Sequence, residues 1–176
     1  IPQGNGFLSD FLFAMEWAAG NPEVQIINMS AGLFGFDPGM LEAVRDLTLV
    51  GILPVFAIGN EGRNQTRSPG NYDPALSVGA CDKNRQVASF SGGATIVHEG
   101  HQYTVPDAVA PGVDVYSCIP GNGYALLSGT SMASPYAAGL CAALISDATA
   151  RHPGVPIRAY DVRQALCLSA EMLPEH

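Results

Sequence analysis

The sequence predicts an α/β protein with a mostly parallel sheet between helices, because short apolar runs alternate with helical patterns. Residues 24–29 (VQIINM), 53–58 and 75–80 are apolar runs of strand length, typical of strands buried on both faces. Residues 9–19 and 38–50 repeat apolar side chains at the spacing of one helical face. Strand, helix and strand joined by short connections indicate a crossover between parallel strands.

The second half of the chain predicts a hairpin and two helices. Residues 95–98 and 102–105 are β-prone and flank a turn, so we expect a surface hairpin that elaborates the scaffold. Small and apolar residues crowd residues 130–150, which predicts a helix buried on most sides. Residues 159–168 predict a final amphipathic helix. The joints are too short to be interdomain linkers, so we interpret residues 1–176 as a single domain.

The composition disfavours two classes of partner. The chain carries 16 acidic and 8 basic residues, a formal charge of −8, whereas nucleic acids and anionic membranes require clustered Lys and Arg. No apolar run approaches the roughly 18 to 20 residues of a membrane helix. We therefore expect neither nucleic acid nor a membrane as a partner. The chain begins at Ile1 with neither an initiator Met nor a signal sequence, so we expect a processed or truncated end.

The cysteines give no metal motif. Cys81, Cys118, Cys141 and Cys167 lie far apart and show no CxxC spacing, which argues against a zinc site. Buried free thiols are the favoured interpretation, with disulfides as the alternative. Because either state fits the spacing, the cysteines leave the cellular compartment open.

The most informative segment is residues 129–135, GTSMASP, where Ser131 stands between a glycine-bearing loop and an apolar helix. The free N–H groups and the positive end of a helix dipole would face an oxyanion formed when this serine attacks a carbonyl. We place Pro135 in the first turn, where it would break no helical hydrogen bond. The alternative is that Ser131 is an ordinary helix cap.

A second polar residue follows a predicted strand. Asn60 comes directly after Gly59 in residues 56–62, FAIGNEG, at the carboxyl edge of the sheet where sites of α/β proteins form. Its side-chain amide could donate to an oxyanion. The alternative for an isolated Gly-Asn pair is a turn.

Taken together, the segments resemble the catalytic domain of the subtilisin-like serine proteases (subtilases, peptidase S8). GTSMASPYAAG, residues 129–139, is similar to the family's serine motif, although Tyr136 and Ala137 replace its usual His and Val. The resemblance implies Ser131 as nucleophile, Asn60 as oxyanion donor and a three-layer subtilisin-like fold. The matches run in family order from about Gly4 onward, so the chain corresponds to the C-terminal part of that domain, with its N-terminal portion absent.

The resemblance also implies a groove for an extended peptide, which would lie as an added strand between two backbone segments. The two sides would be Ser30, Ala31 and Gly32 in NMSAG and, opposite, Gly4, Asn5 and Gly6. The other implied substrate-binding residues are Ala57, Ile58, Gly59, Arg67 and Thr130. Without the resemblance, both sides are ordinary strand-end or glycine-rich turns.

The implied specificity pocket is bordered by residues 68–72, SPGNY, in which we expect a cis peptide bond between Ser68 and Pro69. Arg67 falls where many relatives have a small residue at the pocket floor. The favoured interpretation is a solvated loop arginine. The alternative is that Arg67 narrows the pocket or attracts an acidic side chain.

The family's aspartate and histidine motifs precede this stretch, and neither is in the chain. His98 and His101 fall in the predicted hairpin, where we expect exposed polar residues and not metal ligands, and His152 and His176 resemble no general base. The chemistry would require no cofactor. A structural calcium ion beside Asp107 is compatible with the family, but one carboxylate is weak support.

Three functions from different classes follow. In the first, an upstream segment supplies the Asp and His, and the protein is an endopeptidase acting on polypeptides through an acyl-enzyme on Ser131. In the second, the chain is inactive alone and serves as a peptide-binding module or an inert protease fragment. In the third, exposed sheet edge and core make it a self-associating scaffold. The resemblance slightly favours an extracellular location, which nothing else in the sequence tests.

Overall fold

The computed structural model describes residues 6–172. The helices are α1 (Leu8–Ala19), α2 (Pro38–Leu49), α3 (Thr130–Arg151) and α4 (Ala159–Ser169). The strands are β1 (Ile26–Met29), β2 (Leu33–Phe34), β3 (Leu53–Ala57), β4 (Arg67–Ser68), β5 (Leu76–Cys81), β6 (Ala94–His98), β7 (His101–Val105), β8 (Ala108–Pro111), β9 (Val115–Ile119) and β10 (Gly123–Leu127).

The main sheet is parallel, with strand order β1-β3-β5-β8. Every residue of β3 and β5 is buried, as expected for central strands covered on both faces. Strand β1 forms one edge of this sheet within the part of the chain that the structure describes. Its carboxyl end, and that of β3, lead into the segments that carry Ser30 and Asn60.

The molecule has three layers, with helices on both faces of the main sheet and an apolar core between each helical layer and the sheet. This confirms the predicted α/β architecture. Side chains alternate along β3: Val55 packs against α3 and α4, whereas Phe56 packs against α1 and α2. The core on the α3 side includes Ala133, Ala137, Cys141 and Ile145, and the core on the other side includes Met15, Met40, Val44 and Leu47. Burial on both faces therefore explains why the strands have no polar alternation.

Helix α2 shows how local chemistry sets its bounds. Asp37 caps it by accepting a hydrogen bond from the Gly39 N–H at 2.8 Å, and Pro38 occupies the first turn, where no N–H is needed. After the helix, Gly51 adopts φ +90°, a conformation that side chains disfavour. The predicted stop at Gly51 is therefore confirmed.

Two parts of the fold differ from the sequence-based expectation. The fourth strand of the parallel sheet, β8, was not predicted and follows the predicted β6–β7 hairpin. An unpredicted hairpin, β9–β10, follows it, and Tyr116 and Tyr124 stack across it at 5.3 Å.

Helix α3 was expected to be buried on most sides, and this is wrong. Ala133, Ala137 and Cys141 face the core, whereas Tyr136 and Leu140 are 52% and 53% exposed. The helix covers the sheet with one face only. None of the helices that the structure describes is both long enough and apolar enough to cross a membrane.

The thiols differ in accessibility. Cys81 and Cys141 are buried, Cys167 is half-buried, and Cys118 in β9 is exposed, which corrects the expectation that all are buried. All four are free. Burial raises the pKa of Cys141 to about 11 and also raises the pKa values of Cys81 and Cys167. A raised thiol pKa keeps the unreactive protonated form at neutral pH.

We therefore expect iodoacetamide at pH 8 to alkylate Cys118 first, before Cys81, Cys141 or Cys167 reacts appreciably in the native protein. Peptide mass spectrometry after timed quenching measures the order, and denaturation should make all four sites react. Early alkylation of Cys141 would contradict the packing of α3 described above.

Candidate active site

Ser131 lies in the first turn of α3, directly over the carboxyl end of β1. The loop before it is held by the Gly129 N–H, which donates to the Gly112 carbonyl at 2.8 Å. The Ser131 side chain is half-buried, and its Oγ donates to the Ser30 carbonyl at 3.2 Å. The predicted combination of a glycine-bearing loop, a serine and a helix start is present.

Pro135 does not lie in the first turn, as the sequence had suggested, but at the sixth residue of α3. A proline there has no N–H to give to the carbonyl four residues earlier, which is that of Ser131. The Ser30 hydroxyl donates to this carbonyl at 2.9 Å instead. Pro135 therefore couples Ser131 to the β1 edge.

A second serine anchors the same helix to the sheet. Ser134 is fully buried, and its Oγ contacts the Asn28 Oδ1 at 2.5 Å and the Val55 carbonyl at 3.3 Å. These contacts join α3 to β1 and β3. The position of the helix start relative to the strand ends is thus fixed by buried hydrogen bonds, which have few alternative geometries.

The Asn60 side chain is oriented by Thr130. Asn60 Oδ1 accepts from the Thr130 N–H at 2.8 Å and from the Thr130 hydroxyl at 2.9 Å. A backbone N–H can only donate, so the side of the amide that faces Thr130 must be its oxygen. The Asn60 Nδ2 keeps its donors, and it lies near Gly129, where an added Cβ would approach it to 3.3 Å.

The predicted site residues meet around one open cavity of about 420 Å³. Its lining residues are Gly6, Phe11, Ser30, Ala31, Gly32, Leu33, Ala57, Gly59, Asn60, Glu61, Arg67, Thr130 and Ser131. Ile58 is fully buried and does not line it. Gly4 and Asn5 lie outside the described residues.

Arg67 is not a solvated loop residue. It lies in β4, its side chain is 29% exposed, and it forms an ion pair with Glu61 at 2.7 Å. Its guanidinium also stands 3.8 Å from the centre of the Phe34 ring. Sequence reasoning gave Glu61 no role, although this residue directly follows Asn60 in the quoted motif.

The segment after Arg67 is held rigidly. The Ser68–Pro69 peptide bond is cis, as predicted. Asn71 is fully buried and donates to the Gly35 carbonyl at 2.8 Å, while the Ser68 hydroxyl donates to the same carbonyl at 2.9 Å. These bonds fix the backbone that borders the cavity.

None of the histidines that the structure describes lines the cavity that Ser131 lines. His98 and His101 belong to the β6–β7 hairpin, and His98 is half-buried against the Phe36 ring at 4.6 Å rather than exposed. His152 follows the last residue of α3, roughly 30 Å along the helix from Ser131. Among residues 6–172, no group of three or more His, Cys, Asp or Glu is placed to hold a metal ion.

Asp107 does not fit a calcium ion. Its Oδ1 accepts from Arg163 at 2.7 Å and its Oδ2 accepts from the Ser77 N–H at 2.8 Å. The guanidinium supplies the positive charge beside the carboxylate, where a calcium ion would be repelled.

A serine at a helix start, beside an oriented amide donor and at the carboxyl edge of a parallel sheet, is the arrangement found in serine hydrolases. The family follows from sequence comparison, because the model of the subtilase family (peptidase S8) matches residues 2–176. The chain belongs to the subtilase family of serine proteases.

Individual relatives agree with this assignment. The chain is 41% identical over 156 residues to alkaline elastase YaB of Bacillus sp. (strain YaB), covering 88% of this chain and 38% of that protein. It is 38% identical over 171 residues to subtilisin BL of Lederbergia lenta, covering 97% and 59%. The structure of the prenylagaramide maturation protease PagA superimposes with a TM-score of 0.81 at 29% identity, over 97% of this chain and 60% of that one. The chain thus spans 38% to 59% of the length of these two curated relatives.

Proposed function

We propose that the protein is a serine endopeptidase in which Ser131 is the nucleophile and Asn60 stabilises the oxyanion. The observation that carries this proposal is the pair of bonds from Thr130 to Asn60 Oδ1, at 2.8 and 2.9 Å. Within residues 6–172 the Asn60 Nδ2 has no hydrogen-bond partner, and Asn60 lines the same cavity as Ser131. Donors fixed before the reaction stabilise developing charge without the cost of reorganisation.

In the proposed reaction, Ser131 Oγ attacks the carbonyl carbon of the scissile peptide bond and its proton passes to a histidine. The carbonyl oxygen becomes an oxyanion, which receives hydrogen bonds from Asn60 Nδ2 and from the Ser131 N–H. The histidine then protonates the leaving amine, and the acyl-enzyme is released by water. The residues of this scheme need no cofactor.

The histidine and its aspartate would come from a segment upstream of this chain. Edge strand β1 has one side free for a further parallel strand within the described residues, and α3 exposes Tyr136 and Leu140. Both features fit an additional strand and helix that complete the domain. The present chain alone is expected to be inactive, because a nucleophile without its base loses most of its rate.

The substrate is proposed to be an extended polypeptide. Ser30, Ala31 and Gly32 line the cavity at the end of β1, and Gly6 also lines it. A peptide between them would bind through main-chain hydrogen bonds. We propose an extracellular location only by analogy with the family.

The test is a fluorophosphonate probe applied to the complete gene product. We expect covalent labelling of Ser131, located by peptide mass spectrometry, and its loss in Ser131→Ala. Ser117→Ala, which removes an exposed serine from β9, is the matched control and should keep the label. Absence of labelling in the complete gene product would contradict the protease proposal and leave a peptide-binding module as the better description.

Self-association is a separate candidate, favoured by the same exposed surface of α3 and β1. Sedimentation velocity over a hundredfold concentration range distinguishes a self-associating scaffold from a monomer. A single monomer at every concentration would contradict the scaffold function.

A further inference from the structure

We propose that Arg67 and Glu61 act together as a specificity element, closing the floor of the pocket beside Ser131 so that only small, uncharged side chains are accepted before the scissile bond. This inference rests on the proposed peptidase function.

The guanidinium of Arg67 is engaged at all three nitrogens. Its Nε and Nη2 donate to Glu61 Oε1 at 2.9 and 2.7 Å, and its Nη1 donates to the Gly32 carbonyl at 3.0 Å. One face of the group lies against the Phe34 ring, 3.8 Å from its centre. A side chain held from three directions has little freedom to move aside for a substrate.

Glu61 is held just as firmly from the other end. Its Oε1 takes both bonds from Arg67, and its Oε2 accepts from the Asn60 N–H at 3.0 Å. Hydrogen bonding from Arg67 also lowers the pKa of the Glu61 carboxyl, so the pair stays ionised at neutral pH. The pair thus bridges the pocket from the Gly32 edge to the backbone of Asn60.

The two side chains occupy the space against the pocket walls. A Cβ added at Gly59 would lie 2.7 Å from Glu61 Oε2 and 3.0 Å from Arg67 Cγ, and one added at Gly32 would lie 3.1 Å from Arg67 Cβ. Glycine walls widen a pocket only when nothing else fills the gap between them. Here Arg67 and Glu61 fill it, so a large substrate side chain would have to displace a bonded ion pair.

The charge of the pair selects against ionised substrate side chains. The positive charge of Arg67 is balanced by Glu61, and three of its five N–H donors are already bonded, so an acidic side chain would gain little there. A basic side chain would meet the guanidinium. Small neutral side chains, such as those of Gly, Ala and Ser, neither displace the ion pair nor bring a charge next to it. Peptides with such a residue before the scissile bond are the substrate class that we infer.

The experiment compares kcat/KM of the complete gene product on peptides that differ only at the residue before the scissile bond: Ala, Ser, Leu, Phe, Glu and Lys. We expect Ala and Ser to exceed Phe, Leu, Glu and Lys by about tenfold or more, the scale on which pockets discriminate between substrates. The double variant Glu61→Ala/Arg67→Gly should raise the Phe-to-Ala ratio of kcat/KM about tenfold. Arg151→Ala, which removes an exposed arginine far along α3, should leave that ratio unchanged.

A single variant gives an independent signature. Arg67→Ala leaves the Glu61 carboxylate without its partner at the pocket floor, so peptides with Lys at the tested position should gain relative to Ala. Thermal melting checks that each variant is folded. The kcat/KM values of the unaltered protein on the six peptides test the inference even if a variant fails to fold. A preference of that protein for Phe, Leu, Glu or Lys would overturn the inference, as would a Phe-to-Ala ratio that the double variant does not change. Absence of both cleavage and fluorophosphonate labelling would overturn the peptidase function as well, whereas labelling with a Phe preference would overturn the pocket inference alone.

Discussion

Replacing Asn60 by Asp in the complete gene product should lower kcat about 10²- to 10³-fold while changing KM little, because an oxyanion donor acts mainly in the transition state. The size of this effect is the one measured for the oxyanion asparagine of subtilisin, so it is an analogy within the family. The chemical reason is local. Asp keeps an oxygen for the two bonds from Thr130 and replaces the Nδ2 donors with a second oxygen.

Two further variants separate catalysis from stability. Asn60→Leu should lose a similar factor in kcat, but it also removes the acceptor of the buried Thr130 N–H and hydroxyl, which costs about 1–3 kcal/mol of unfolding free energy. Asn64→Asp makes the same change of charge at an exposed position and should leave kcat unaltered. Steady-state kinetics and thermal melting measure both quantities. A kcat for Asn60→Asp within threefold of the unaltered protein would show that Asn60 is not an oxyanion donor.

The parts of this molecule that sequence could predict are those whose signal is local. The apolar runs of β1, β3 and β5 and the helical spacing of α1, α2 and α4 depend on neighbours within one element. The positions of Ser131 and Asn60 follow likewise from glycines and strand or helix ends close to them in the chain.

The parts that were missed depend on contacts between distant segments or on signals that were left unused. Strand β8 is only four residues long, and its place is set by pairing with β5. The β9–β10 hairpin carries a usable signal, the turn PGNG at residues 120–123, flanked by β-prone residues. The partnership of Glu61 with Arg67 has no periodic pattern, because both lie where the chain folds back around Gly59.

Pro135 shows how a correct motif can carry an incorrect local geometry. Its place in the sequence suggested a first-turn proline, yet α3 begins at Thr130 and the proline interrupts the helical bond to the Ser131 carbonyl. The compensating donor, Ser30, is 101 residues away in the chain. No pattern in a single sequence indicates such a partner, although Ser30 and Ser131 both belonged to the predicted site.

Replacing Gly70 by Ala should destabilise the protein by about 3 kcal/mol or more, lowering Tm by roughly 6 to 12 °C. A Cβ at this position would lie 2.1 Å from the Ala57 carbonyl oxygen and 3.0 Å from the Ile58 Cα. These are backbone atoms of β3 and the residue that follows it, so no side chain can rotate to make room. The loop that borders the pocket must therefore move away from the strand.

Gly20→Ala is the matched control, because this exposed glycine has φ −79° and an added Cβ meets only the Glu16 and Trp17 carbonyl oxygens, at 3.6 Å. It should change the free energy of unfolding by less than about 0.5 kcal/mol. Calorimetry on both variants measures the contrast, and equal Tm values would contradict the close approach at Gly70. Since Ile58 leads through Gly59 to Asn60, displacement at Gly70 should also move the oxyanion donor. We therefore expect Gly70→Ala to lower kcat when measured well below its melting temperature, whereas Gly20→Ala should leave kcat unchanged.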